Sequence, residues 1–328
     1  MNIFLISIDK WALLYLKDSF NESQLNNVTL ITNKLTLDLE QFLKDKKIKY
    51  IVTKKLVLSD LDGLDFNNSL VLSAGSPWVF SKGLIKKFGD NFFNVHQSPL
   101  PSMRGSVASY VILYDIRAFQ TCVHKVESGI DTGNIAYRKS FIIPSSIKLP
   151  KAVNDFLQIK NREMIKEFLC AFFEDKLLNE KQNSFFATYN KRLSSKINGW
   201  IDWSMNVDDL DRFIRAYGEP YGGANTFISD LQVQIQDIEK SKNEPARHPE
   251  EIGIVLRKFQ DYVVICVNGG SIYVKKILVN NKNIIDKISS GDRFYTKIKY
   301  LDEKNQRVLF VKQSQIYNQD IEIKKINK

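Results

Sequence analysis

Apolar residues in the first hundred positions come in short runs rich in β-branched and aromatic side chains, at 2–8, 27–32, 49–52, 69–73 and 92–96, and these predict five β-strands. Between them, at 11–20, 36–46 and 82–88, apolar positions recur at helical spacing. The alternation predicts an α/β fold with an open, mostly parallel sheet. In such sheets ligands bind beyond the carboxyl ends of the strands, which directs attention to the loops after Ser73 and His96. Two further strands are expected at 121–126 and 134–143, separated by a turn with a glycine near each end, and helical spacing returns at 151–172. Residues 185–203 are polar and irregular, with Asn198-Gly199 as a turn signal, and 207–216 reads as a short helix. Closely spaced short strands follow at 224–228, 231–238, 253–258, 262–267, 271–278 and 307–311, most economically a small β-barrel. The expected division is therefore an α/β domain over 1–205 and a barrel domain over 206–328.

A length of 328 residues, with 44% hydrophobic and 26% charged, agrees with two globular domains, and no run approaches the roughly 18 apolar residues of a membrane span. The amino terminus has no basic residue ahead of its short apolar run, unlike a secretory leader, so the expected compartment is the cytoplasm. Three scattered cysteines, Cys122, Cys170 and Cys266, suggest neither a disulfide framework nor a zinc site. Three histidines, His96, His124 and His248, leave little material for a metal centre, and no metal is expected. The formal charge of +10 favours anionic partners, and residues 241–328 hold 17 Lys+Arg against 10 Asp+Glu. That excess reads either as a solvated basic face or as an anion-binding surface.

Asn94 and His96 lie two apart on the fifth strand and share a face, just before Ser98-Pro-Leu-Pro-Ser-Met-Arg-Gly105. Taken singly, each has an ordinary reading as a strand cap or a satisfied core histidine, and Asp131 in Gly129-Ile-Asp-Thr-Gly133 is ordinary turn chemistry. Together they can form a device. An amide donor and an imidazole can bind and protonate a developing oxyanion, while a carboxylate orients the imidazole or accepts a proton through water. With no strong nucleophile in the set, the chemistry expected is direct acyl-type transfer onto a substrate nucleophile.

Phe93-Asn-Val-His-Gln-Ser-Pro-Leu-Pro-Ser-Met-Arg-Gly105 followed by Gly129-Ile-Asp-Thr-Gly133 closely resembles the folate-dependent formyltransferases, in which N-x-H precedes S-L-L-P-x-x-R-G and a later G-x-D-T-G. Asn198-Gly-Trp-Ile-Asp-Trp203, Phe213-Ile-Arg-Ala216 and Pro220-Tyr-Gly-Gly-Ala224 resemble the segments leading into the C-terminal domain of methionyl-tRNA and amino-sugar formyltransferases. The resemblance is strong over 70–140 and 195–230 and weak elsewhere. It implies a Rossmann-like catalytic domain, a smaller OB-like barrel, and formyl transfer from 10-formyltetrahydrofolate to a primary amine. Asn94 would donate to the oxyanion of the tetrahedral intermediate, His96 would stabilise it and move protons, and Asp131 would orient His96 or relay the amine's proton. The folate would be framed by Ala74, Gly75, Ser76, Trp78 and Val79 of one loop and by Gly129, Ile130, Thr132 and Gly133 of the other.

Methionyl-tRNA formyltransferases carry a basic, glycine-containing insertion after the second strand, whereas 32–44 here reads as a plain amphipathic helix. The first-strand turn, Ser7-Ile-Asp-Lys-Trp11, also departs from their G-T-P-x-F-A type. A nucleotide-linked amino sugar is therefore the favoured acceptor, with Lys82, Ser98, Arg104, Gly105, Arg215, Tyr217 and Tyr221 as the residues expected to hold it. Transfer to methionyl-tRNA is the alternative, which the basic barrel favours. A non-catalytic folate- or nucleic-acid-binding module is the alternative of another class. The sequence allows a homodimer and leaves the sugar and nucleotide open.

Overall fold

The computed structural model describes residues 1–7, 15, 20–244 and 247–306. The expected helix at 11–20 falls mostly outside the described residues, and the expected strand at 307–311 falls wholly outside them. The first five strands form where expected: β1 (Ile3–Ser7), β2 (Val28–Thr32), β3 (Lys49–Val52), β4 (Leu70–Ala74) and β5 (Phe92–His96). They pair in parallel in the order β3-β2-β1-β4-β5. In β2 and β4 every residue is buried, as a central parallel strand covered on both faces requires. The helix Leu37–Asp45 is capped by Thr36, whose hydroxyl accepts the Leu39 N–H, and Lys82–Phe88 is capped likewise by Ser81.

Two longer strands, β7 (Ala118–Lys125) and β8 (Ile135–Ile142), complete this seven-stranded sheet, and both run antiparallel to their neighbours. Before them, β6 (Arg104–Gly105) pairs with the later β9 (Tyr189–Asn190). The helix Pro150–Phe173, with proline in its first turn, covers one face of the sheet, packing Met164, Ile165 and Phe168 against Phe93, Val95 and Val123. Phe92, on the alternate face, packs with Phe88 and Val71.

Beyond the helix Val207–Ala216 the chain is antiparallel: β10 (Ala224–Ile228), β11 (Leu231–Ser241), β12 (Val255–Lys258), β13 (Val263–Val267), β14 (Gly270–Val279), β15 (Lys282–Asn283) and β16 (Phe294–Tyr295). The order is β12-β13-β14-β11-β10-β16, with β15 beside β14. The ends of that path meet. Ile254 bridges Arg293, the Phe294 N–H donates to Gly253 O at 2.8 Å, and the Val255 N–H donates to Asp292 O at 2.8 Å, so the expected barrel takes the form of a curled antiparallel sheet whose ends are bridged beside a strand of two residues. A hydrophobic cluster runs from its interior (Ile235, Ile265, Val274) through Leu210 and Ile214 to Val111, Val153 and Leu157, crossing residue 205 without a break. Among the described residues no helix is long and apolar enough to cross a membrane.

Gly253 stands at the closure with φ +85°, and a Cβ there would lie 2.2 Å from the Phe294 carbonyl oxygen. Gly253→Ala should therefore lower the unfolding free energy by about 2 kcal/mol or more. The effect would be read as a lower urea midpoint at constant slope, and an unchanged midpoint would show that the closing contact carries no weight.

Candidate active site

Asn94 and His96 project from the end of β5 onto the face that the helix Pro150–Phe173 does not cover. Asn94 stands opposite His124 of β7, which brings a second imidazole to the same face. The turn 126–134 joins β7 to β8. Since β7 is antiparallel to β5, Lys125 lies opposite Phe93, so the turn leaves at the amino-terminal level of β5 rather than at its carboxyl end. It folds back far enough that Asp131 Oδ2 lies 3.6 Å from His96 Nδ1 and Oδ1 lies 3.5 Å from His124 Nε2. Asp131 has a left-handed backbone, φ +54°. At Gly133 a Cβ would lie 2.0 Å from the Lys125 carbonyl oxygen, which is why the turn needs glycine there.

The hydrogen bonds fix both imidazole tautomers. His96 Nε2 lies 2.9 Å from Met103 O and 2.7 Å from Ser98 Oγ, and Ser98 Oγ donates to Met103 O at 2.5 Å. A carbonyl only accepts, so His96 carries its proton on Nε2 and a neutral ring turns the Nδ1 lone pair toward Asp131. His124 Nδ1 lies 2.7 Å from Lys125 O and by the same argument carries a proton. Its Nε2 accepts from Asn94 Nδ2 at 3.3 Å, which orients the amide and leaves the second Nδ2 hydrogen for a substrate oxygen. Both histidines are buried. Burial pushes the His96 pKa below 6.5 against the pull of the Asp131 charge. For Asp131 burial acts to raise the pKa, but His96, His124 and the Gly105 N–H, which donates to Oδ2 at 3.2 Å, hold it well below the usual carboxylate range. At neutral pH Asp131 is thus a carboxylate flanked by the rings of His96 and His124.

The other expected residues fall into groups. Ala74 ends β4 and is buried, Gly75 has φ +63°, Ser76 Oγ accepts the Trp78 N–H at 3.1 Å, and Trp78 Nε1 donates to Lys54 O at 3.1 Å. Val79 and Ile130 are 58% and 55% exposed, an apolar side chain on each of the two loops. Gly129 takes the Thr132 side chain against it, close enough that a Cβ would lie 2.4 Å from Thr132 Oγ1. Ser98 and Gly105 join the His96–Asp131 network. Arg104 donates through Nε and Nη2 to Gln182 Oε1 at 3.3 and 2.9 Å. Lys82 is exposed at the start of its helix.

Arg215 is turned to the barrel, bonded to Asp211 at 2.8 Å and to Ile238 O at 2.5 Å, while Tyr221 accepts from Ser195 Oγ through its carbonyl. Tyr217 is buried and lines a cavity of about 300 Å³ with Tyr110, Lys191, Arg192, Leu193, Asn198, Lys304 and Asn305. His124 and Gln182 lay outside the expected set. The cross-strand position of His124 was open to recognition once β5 and β7 were paired, whereas nothing in the local pattern marks Gln182. Among the described residues no cluster of three His, Cys, Asp or Glu side chains could hold a metal ion.

Residues 194–289 match the family model described as formyl transferase, C-terminal domain. Methionyl-tRNA formyltransferase of Geotalea uraniireducens is 25% identical over 209 residues, covering 63% of this chain and 63% of that protein, so the match spans less than two thirds of that relative. Among solved structures, the N-formyltransferase from Helicobacter canadensis in complex with folinic acid and dTDP-3-aminofucose is similar with a TM-score of 0.63 at 20% identity, over 84% of this chain and 99% of that one. WlaRD, a sugar 3N-formyl transferase with dTDP and 5-N-formyl-THF, gives 0.62 at 19% identity over 84% and 97%. The shared fold is that of the formyltransferases.

A buried, neutral His96 gives a pH signature. Below about pH 6.5 the unfolded chain protonates this imidazole before the folded chain does, so its contribution favours unfolding progressively as pH falls from about 7 to the lowered folded value. His96→Gln should remove that part of the slope. Urea titrations at about pH 7, 6 and 5 would measure it, and identical slopes in the two proteins would refute the buried neutral state.

Proposed function

We propose that the chain, which shares its fold with the formyltransferases and matches their C-terminal domain over residues 194–289, transfers a formyl group from 10-formyltetrahydrofolate to the primary amine of a nucleotide-linked amino sugar. The observation that carries the reading is the Asn94–His96–Asp131 constellation, assembled with His124 on one sheet face. An amide, two imidazoles and one carboxylate suit an amide-type carbonyl donor. Val79 and Ile130 offer apolar surface on the two loops where a flat heterocycle would lie. In this reading residues 1–205 carry the chemistry and 206–328 form the barrel domain.

The bound folate supplies a formyl carbon joined to N10 by an amide bond. Asn94 donates its second Nδ2 hydrogen to the formyl oxygen as negative charge gathers there. Asp131 and His96 Nδ1 lie 3.6 Å apart with a proton-accepting face on each, and they take the proton that the amine nitrogen loses as its bond to carbon forms. The same pair returns a proton to N10 as the C–N10 bond breaks, so the enzyme ends as it began. The products are a formamide on the sugar and tetrahydrofolate.

The acceptor is argued from three observations. The Helicobacter canadensis enzyme, crystallised with dTDP-3-aminofucose, is covered by this chain over 99% of its length. Only four residues separate β2 from the helix Leu37–Asp45, with no room for the basic insertion of the tRNA enzymes. Lys191 and Arg192 follow β9 directly and, with Lys304, line the cavity beside Tyr217, which suits a phosphorylated acceptor. Methionyl-tRNA remains the second reading, favoured by the sequence match to methionyl-tRNA formyltransferases.

With 10-formyltetrahydrofolate, tetrahydrofolate release is expected with a nucleotide-linked amino sugar and not with charged initiator tRNA; turnover on the tRNA alone would reverse the order of the two readings. His96→Asn should lower kcat by ~10²-fold or more while folate affinity is kept. Near-normal turnover in that variant would remove His96 from its role.

A further inference from the structure

The Asp131 backbone is left-handed, with φ +54°, a conformation that the surrounding turn has to hold in one place for the carboxylate to keep its position. The carboxylate must also stay between two imidazoles to a fraction of an ångström. The holding group comes from far along the chain. After the helix Pro150–Phe173, the chain runs back against the start of β8, with the Leu178 N–H on Ala136 O and Ile135 and Glu180 exchanging backbone hydrogen bonds. This run delivers Gln182, buried, beneath the turn.

Gln182 Nε2 donates to Asp131 O at 2.9 Å and to Gly133 O at 2.7 Å, while its Oε1 accepts from Arg104 Nε and Nη2. Both amide hydrogens and both lone pairs are used, so the side chain has one orientation. Gly105, the next residue after Arg104, donates its N–H to the Asp131 carboxylate. The same two-residue strand therefore holds Asp131 at both ends, directly at the carboxylate and through Gln182 at the backbone.

We propose that Gln182, locked by Arg104, is the positioning residue that keeps the Asp131 carboxylate against His96 and His124, and that Arg104 serves this purpose through its contact with Gln182. The role in turnover rests on the formyl-transfer reading, but the positioning itself can be measured without turnover. Gln182→Glu keeps the shape and the contact with Arg104 and loses both donors to the turn. Arg104→Lys keeps the charge and loses the fork on Oε1. The titratable and charged groups facing His96 are Asp131, His124 and Arg104; Gln182→Glu adds a carboxylate and Arg104→Lys displaces a cation, and each of these by itself would raise the His96 pKa, so a downward shift can come only from withdrawal of Asp131.

Releasing the turn lets the carboxylate draw away and removes part of the pull that opposes burial, so the His96 imidazole should titrate lower by ~0.5 unit in Gln182→Glu and by less in Arg104→Lys. NMR titration of the histidine rings reads this. A midpoint equal to that of the wild type in both folded variants overturns the proposal, and if Gln182→Glu does not fold, Arg104→Lys decides alone. With an active enzyme, Gln182→Glu should lower kcat ~10-fold with KM little changed, and should add almost nothing in an Asp131→Asn background. Additive losses in that cycle would count against action through Asp131. Absence of formyl transfer by the wild-type protein would reject the function and leave the titration result standing.

Discussion

A carboxylate largely withdrawn from water must be met by hydrogen-bond donors or positive charge, and the placement of Asp131 satisfies that demand in an unusual way. One backbone N–H, from Gly105, reaches it directly. The two imidazoles beside it have already committed a proton to backbone carbonyls, His96 to Met103 and His124 to Lys125. Their remaining nitrogens flank the carboxylate, His96 Nδ1 at 3.6 Å and His124 Nε2 at 3.5 Å. The antiparallel entry of β7, the left-handed turn, the glycine under Lys125 and the loop after β5 can all be understood as conditions for keeping that arrangement intact.

Much of this was readable from the chain. Short apolar runs located β1 to β5 and most barrel strands, and helical spacing located the helix Pro150–Phe173, because each buries a face long enough to leave a pattern. The Asn94-x-His96 spacing placed two groups on one face, and Asp131 meets His96 directly and Asn94 through His124. What escaped depends on pairing between distant segments. β6, β9 and β16 have two residues each, too few for any periodicity, yet they tie Arg104 beside Tyr189 and close the barrel. His124 gains meaning only through its register with Asn94, and Gln182 only through a chain reversal of some fifty residues. Arg104 and Arg215 looked alike as cations. One is bonded to a neutral amide beside the site and the other to Asp211 and Ile238 at the barrel.

The hydrophobic cluster that crosses residue 205 bears on how the two halves behave. Leu210 and Ile214 of the helix Val207–Ala216 contact the same body of side chains as Val111 and Val153 on one side and Ile235 and Val274 on the other. Interfaces that are continuous and apolar resist relative motion more than small polar ones do. The site face and the barrel are then expected to respond to strain as one mechanical unit.

The closing of the barrel through Gly253 and Phe294 also bears on association between molecules. A sheet that ends in unpaired N–H and C=O groups invites another chain to add a strand, whereas a ring of strands has no such end. With Ile254 joined to Arg293, the path from β12 to β16 is bridged where its two ends approach each other. The bridge leaves less of this edge open to strand addition, and a partner that meets the sheet there must also contend with side chains on its outer face.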